Sequence, residues 1–200
     1  MCSKPHQHFK IYKPYGMISQ MGSNNAKELR TKHFLKALYN FPEGIMPIGR
    51  LDENSEGLLL LTTDGKLSDT INRSGKEKEY YAQLDGEITA DAIKNLRTGV
   101  EIGFEGKKYQ TKQCVVTTLE TPTTLPEPDK KIRLGRHRPT SWVRIVLTEG
   151  KFRQVRKMTA AVGFPTLRLI RVRVGTITLD GLLPGDVAAI ADRLLYEPTK

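Results

Sequence analysis

Apolar and polar positions alternate from residue 8 to 20 around a break at Lys13-Pro14-Tyr15-Gly16, which predicts a strand, a turn and a second strand. Leu29, His33, Phe34, Leu38 and Phe41 then recur at helical spacing and predict a helix over 26–41, ended by Pro42 and Gly44. Residues 45–51 read as a short strand and 57–62 as a second, fully buried one, with 52–56 as the loop between them. Asp64-Gly65 is a turn before a short helix over 66–72. A strand over 79–84 precedes a helix over 89–97, with Thr89 as its N-cap and Gly99 as its stop. Residues 100–120 predict a meander turning at Glu105-Gly106, and 121–139, rich in Thr, Pro and basic residues, an irregular loop. A strand over 142–147, a helix over 152–162, a strand over 167–178 with arginines on its outer face, and a last strand after the turn Leu182-Leu183-Pro184-Gly185 complete the chain. Hairpin-linked strands with helices between groups indicate an α+β fold, not a doubly wound sheet.

Charge changes the picture more than composition does. The 200 residues carry a net charge of +10, from 32 basic and 22 acidic side chains. Residues 130–173 hold 13 Lys and Arg against one acid, Glu149, so the rest of the chain is slightly acidic. A positive charge confined to one stretch is the footprint of a polyanion partner, with a solvated face as the bland alternative. No apolar run reaches the roughly 18 residues of a membrane span, and no signal-peptide core opens the chain. Cys2 and Cys114 have no metal or redox spacing. The expectation is a cytoplasmic protein without a membrane partner.

Three clusters carry candidate chemistry. Asp52 follows Arg50-Leu51 and precedes the apolar run Leu58 to Leu61. A carboxylate at the edge of a core suits a nucleophile or base, although an isolated Asp more often caps a turn. Glu56 is the partner that a two-carboxylate glycosidase would use, but it reads more simply as a solvated loop residue. In Phe152-Arg153-Gln154-Val155-Arg156-Lys157-Met158, helical spacing turns Phe152, Val155 and Met158 toward the core. Arg153, Arg156 and Lys157 then fall on another face, where one arginine can orient a buried carboxylate. In Lys78-Glu79-Tyr80-Tyr81 the tyrosines face opposite sides of a strand, so one can pack while the other stacks on a base. The histidines show no ligand spacing and no Gly-rich phosphate loop is present, so neither a metal nor a nucleotide cofactor is implied.

These clusters, with Lys13-Pro14-Tyr15-Gly16-Met17 ahead of them, resemble in order the motifs of RNA pseudouridine synthases. The resembling segments are the Lys-Pro-x-Gly turn, the Gly-Arg-Leu-Asp motif from Gly49 to Gly65, the Lys-x-Tyr strand, and Glu149 to Met158. The variant is that of the branch acting on bacterial ribosomal RNA. The resemblance implies a single catalytic domain over 1–200, with a mixed, mostly antiparallel sheet in two lobes, flanking helices and a central cleft. It implies Asp52 as the catalytic aspartate, Tyr80 as the aromatic that stacks on the target base, and Arg156 as the basic partner of Asp52. Arg50 is implied beside the active site, and Arg133, Arg136, Arg138, Arg153, Lys157 and Arg171 as RNA contacts. Many members of the branch open with an S4-type RNA-binding domain, for which the sequence leaves no room ahead of Lys13. The stretch Pro139 to Trp142 and that from Met158 to Arg171 look most like members without it that act on 23S ribosomal RNA. The implied partner is that RNA or an assembling large-subunit particle, and the implied working unit is a monomer.

The reaction so implied needs no cofactor, because nothing is oxidised and no group is imported. A uridine leaves its stack, its N-glycosidic bond breaks, and a carbon–carbon bond forms between C1′ and C5. Asp52 either attacks C1′ or removes the C2′ proton, and the sequence leaves both open. A non-catalytic RNA-binding or ribosome-assembly protein fits the charge equally well, and a nucleoside hydrolase using Asp52 and Glu56 is a third reading.

Overall fold

The computed structural model describes residues 5–129 and 138–196. The chain divides into two compact units, residues 1–76 with 171–200 and residues 77–170. In chain order, the first unit opens with β1 (His8–Lys13), β2 (Met17–Ile18), α1 (Ala26–Thr31), β3 (His33–Phe34), β4 (Met46–Ile48), β5 (Glu56–Thr62) and α2 (Gly65–Arg73). The second unit contributes β6 (Lys78–Asp85), α3 (Ala90–Thr98), β7 (Glu101–Phe104), β8 (Lys107–Gln110), β9 (Val115–Leu119), β10 (Thr140–Leu147) and α4 (Gln154–Ala161). The division falls inside β11 (Thr166–Val174), after which β12 (Ile177–Thr178), β13 (Val187–Ala189) and α5 (Asp192–Tyr196) return to the first unit. The β1–β13, β1–β5, β4–β5, β6–β10, β9–β10, β7–β8 and β11–β12 pairings are antiparallel and β2–β3 is parallel, in keeping with the α+β expectation.

In the first unit β1 is central, with β13 on one side and β5 on the other. All seven residues of β5 are buried, as its continuous apolar pattern requires. Asp64 caps α2 by accepting from the backbone N–H groups of Lys66 and Leu67. The helix expected over 26–41 is only six residues long. Lys32 is extended, His33 and Phe34 pair with Met17 and Ile18, and the Leu35 N–H donates to Gln20 O at 2.9 Å. This pairing buries Phe34 and Leu35, whereas α1 buries no residue and leaves Leu29 half exposed. Tertiary burial outweighs a helical periodicity that had little to pack against.

In the second unit β10 lies between β6 and β9, with Tyr80 opposite Ile145 and Tyr81 opposite Arg144. One face carries Tyr80, Ala82, Leu84, Val143 and Ile145, all buried. Buried Ala92, Ile93 and Leu96 on α3 add to this core. On the other face Arg144 makes a bidentate bond to Glu79, Nε to Oε1 at 2.7 Å and Nη2 to Oε2 at 3.0 Å. The arginines of β11 depart from their expected outer face. Arg168 and Arg171 are both buried, donating to Pro126 O at 2.9 Å and Leu58 O at 2.8 Å respectively. Each guanidinium donates to a carbonyl within its own unit, which offsets part of the cost of burying it.

Gly99 ends α3 with φ 96° and ψ 148°, a region open to glycine alone. A Cβ there would lie 2.2 Å from the Thr111 carbonyl oxygen. Gly99→Ala is therefore expected to destabilise the protein by about 3 kcal/mol, read as a lower urea midpoint at unchanged m-value.

Candidate active site

One candidate element, in the first unit, is a loop held by its backbone. At the end of β1, Lys13 is opposite Gly57, where β5 begins. Pro14 to Gly16 turn the chain, with Gly16 at φ 77°, and the Gly16 N–H donates to Glu53 O at 2.9 Å. The Lys13 side chain has no exposed surface. Its ammonium donates to Met17 O at 2.6 Å, Pro14 O at 2.8 Å and Glu53 O at 3.3 Å. Three carbonyls match the three N–H bonds of the charged form. Ser19 holds the residue before Asp52: its hydroxyl donates to Leu51 O at 2.8 Å and accepts from Leu51 N–H at 2.9 Å. The Ser55 N–H closes the turn on Asp52 O at 3.0 Å, and the Ser55 hydroxyl stands 3.5 Å from the Asp52 carboxylate. Lys32 grips the Glu53 carboxylate at 2.7 Å. Asp52 thus has a fixed backbone on both sides and a side chain that stays partly accessible.

Three carboxylates sit in this element, those of Asp52, Glu53 and Glu56. Glu56 is buried at the start of β5, with the Tyr12 hydroxyl 3.5 Å from its Oε2, which corrects the reading of a solvated loop residue. Burial pushes the Lys13 ammonium down from the ordinary 10.5 to about 7, opposed by the negative charges of Glu56, Asp52 and Glu53. Arg50 is exposed and, with Ser19, Gln20, Gly49 and Asn72, lines a cavity of about 380 Å³ beside the loop.

A second candidate element, in the second unit, is the connection from β10 into α4. Glu149 is its hub, accepting from Tyr109 Oη at 2.5 Å, Gln154 Nε2 at 2.6 Å and the Lys112 N–H at 2.9 Å. Burial works against the ionised form, but these three hydrogen bonds prevail and hold the Glu149 carboxyl below its usual range. The Gln154 carbonyl accepts from the Lys151 N–H at 2.9 Å, fixing the turn. Arg153 begins the helix in the left-handed region, φ 54° and ψ 33°, an uncommon state for an arginine. That residue breaks the helical register, so Phe152 does not join Val155 and Met158 in the core and is 68% exposed. Arg156 is half buried and donates to Thr166 O at 3.1 Å, and Lys157 reaches Gly103 O at 2.7 Å.

The structure places Asp52 and Arg50 in the first unit and Tyr80, Arg153, Arg156 and Lys157 in the second. Of the two tyrosines, Tyr80 is the buried one and Tyr81 is more open. Arg138 is exposed but engaged, with Asp85 at 3.1 Å and Gly163 O at 3.3 Å. Arg171, expected as an RNA contact, is buried on Leu58 instead. Arg133 and Arg136 lie outside the described residues. Sequence reasoning missed Lys13, Ser19 and Glu149. The one local signal was a lysine ending a strand directly before a proline. Among the described residues no group of His, Cys, Asp or Glu side chains converges as a metal site, and no helix is long and apolar enough to cross a membrane.

The depressed Lys13 value sets a pH dependence. From pH 7 to 10.5 the unfolded lysine holds a proton that the folded one gives up. Its contribution is therefore complete above 10.5 and is lost as pH falls through 7. The Cys114 thiol, pushed up from 9 to about 11 mainly by burial, opposes this only above pH 9. Between pH 7 and 9 wild-type stability is expected to rise, and Lys13→Met to lose that rise. At pH 7 the same substitution leaves inward carbonyls and carboxylates without their cation and costs about 3 kcal/mol. Urea titrations at several pH values check both.

Residues 7–161 match the profile of the RNA pseudouridylate synthase family. The chain is 39% identical over 183 residues to ribosomal large subunit pseudouridine synthase E of Xanthomonas axonopodis pv. citri, covering 90% of this chain and 92% of that one. It is 32% identical over 181 residues to ribosomal large subunit pseudouridine synthase B of Bacillus subtilis, covering 90% and 66%. A solved pseudouridylate synthase shares its fold, with a TM-score of 0.75 at 24% identity over 98% of this chain and 74% of that one. With the profile matching most of the chain and relatives this similar along nearly all of it, the chain belongs to the RNA pseudouridylate synthase family.

Proposed function

We propose that this protein isomerises a uridine of large-subunit ribosomal RNA to pseudouridine. The observation that carries the reading is 39% identity to a large-subunit synthase along nine-tenths of both chains. The clamped loop adds physical support, because a rigid backbone with an accessible carboxylate suits a residue that must meet one atom of a bound nucleotide.

In this reading Asp52 acts as the ionised carboxylate, attacking C1′ or removing the C2′ proton as the N1–C1′ bond breaks. Uracil then turns so that C5 bonds to C1′, which displaces the Asp52 carboxylate from C1′ in the first route or is accompanied by return of the C2′ proton from Asp52 in the second; the C5 proton leaves to solvent, and N1 gains a proton. The atoms balance without oxidant, reductant or donor. Tyr80 holds the flipped base by stacking, a contact worth about 1–3 kcal/mol. Arg156 supplies the cation that keeps Asp52 ionised and aimed. Phosphates are met by Arg50, Arg133, Arg136, Arg138, Arg153 and Lys157. Arg171 is not in this set, because its guanidinium is buried on a carbonyl. The substrate is 23S RNA or a particle containing it, and the enzyme works in the cytoplasm as a monomer.

The test uses large-subunit RNA transcribed with uridine tritiated at C5. Wild type is expected to release tritium, and Asp52→Asn to release none while binding RNA with nearly unchanged affinity. Binding without release by wild type, on both RNA and assembly intermediates, would replace the isomerase reading with a non-catalytic RNA-binding one. Replacing Arg133 and Arg136 together by alanine is expected to lower the salt slope of binding by about 1.4, at roughly 0.7 per phosphate contact. An unchanged slope removes these two from the footprint.

A further inference from the structure

Phe152 is a large apolar side chain left 68% exposed, beside the helix that carries Arg156. Exposure of a single aromatic is not unusual, but here the local structure fixes the residue in place. The preceding residue is pinned twice: the Lys151 N–H donates to Gln154 Oε1 at 2.9 Å, and its carbonyl accepts from the Gln154 N–H at 3.0 Å. The Lys151 ammonium sits over the rings of Phe104 and Tyr109, at 5.1 and 5.0 Å. The following residue, Arg153, adopts the left-handed conformation that keeps Phe152 out of the helix and out of the core. A left-handed non-glycine residue costs energy and persists only where its surroundings enforce it. Lys157 places its ammonium 5.3 Å from the Phe152 ring centre and anchors that ammonium on Gly103 O.

The surroundings select the ligand. Residues 148–157 contain four cations, Lys151, Arg153, Arg156 and Lys157, and one acid. That acid, Glu149, is turned inward onto three donors. An exposed ring with a cation on it, in a cationic turn, complements a flat aromatic ligand carried on a phosphate chain. We propose that Phe152 is a stacking platform for an unpaired base of the RNA substrate, distinct from the target uridine. Lys157 fixes the ring, and neighbouring cations meet the flanking phosphates. The inference deepens the isomerase reading and rests on it for the identity of the RNA.

The test measures affinity of a labelled large-subunit RNA transcript and tritium-release kinetics for Phe152→Ala, Phe152→Leu and Phe152→Trp. Stacking predicts a Kd and KM raised about 5- to 100-fold for Ala, the range of a base–aromatic contact. Leu, which keeps apolar bulk without a π face, is expected to behave like Ala, and Trp to retain wild-type affinity. With RNA saturating, kcat stays within the wild-type range, and the melting temperature of all three variants is unchanged because the ring is exposed. The salt slope also holds for Ala, since no phosphate contact is removed. Wild-type affinity in the Ala or Leu variant overturns the proposal, and so does a fall in melting temperature that accounts for the weaker binding. RNA binding that depends on Phe152 without any tritium release leaves the platform standing and removes the isomerase reading. Tritium release indifferent to every change at Phe152 does the reverse.

Discussion

A lysine with no exposed surface must find acceptors for its ammonium inside the protein, and those of Lys13 come from two segments of backbone. Its own turn supplies Pro14 and Met17, and the loop forty residues later supplies Glu53, the neighbour of Asp52. Because an unmet buried charge is among the most costly faults a fold can carry, this arrangement constrains both segments at once. The turn must bend back sharply, and the loop must present a carbonyl inward. The side chain of Asp52 stays partly accessible. Ser19 does the same work on a smaller scale, using one hydroxyl to meet both backbone groups of Leu51.

The second unit reaches a fixed turn by a different route. There the organising charge is negative: Glu149 draws a tyrosine, an amide side chain and a backbone N–H onto one carboxylate. The hairpin of β7 and β8 and the start of α4 are thereby joined through a side chain, where the first unit uses a lysine and carbonyls. Lys13 is wholly buried and Glu149 partly so, and each is held by three hydrogen bonds. Fixed charges of this kind make a loop behave as a rigid element, which the entropy of a catalytic or binding residue favours.

Much of this fold was legible in the chain. The run from Leu58 to Leu61 leaves no choice but a fully buried strand, and Thr89 and Gly99 bracket α3 by the chemistry of their caps. The helix over 26–41 failed because its apolar positions are recruited by Met17 and Ile18, a pairing that local periodicity does not encode. Phe152 failed for a subtler reason: one left-handed residue is enough to shift a helical face, and Arg153 has no signature of it. Arg168, Arg171 and Glu56 were read as surface residues because charge usually is. Their partners include backbone carbonyls for the two arginines and a tyrosine hydroxyl for the glutamate, which carry no mark in the sequence. Asp52, Tyr80 and Arg156 were named from motif order, and the loop holding Asp52 became intelligible only with the hydrogen bonds of Lys13 and Ser19.

The division of the chain inside β11 has a consequence for synthesis. Residues 77–170 form a unit from one uninterrupted segment, so they can fold as soon as they emerge from the ribosome. The unit bearing Asp52 cannot. Its central strand β1 waits for β13, with Phe9 facing Ala189 and Ile11 facing Val187, partners almost a full chain length away. Closing so long a loop adds only slowly to the entropic cost, but it sets an order of events. The aspartate's scaffold is completed only once β13 has been made, so a chain truncated before that strand holds the second unit's cations without a finished setting for the carboxylate.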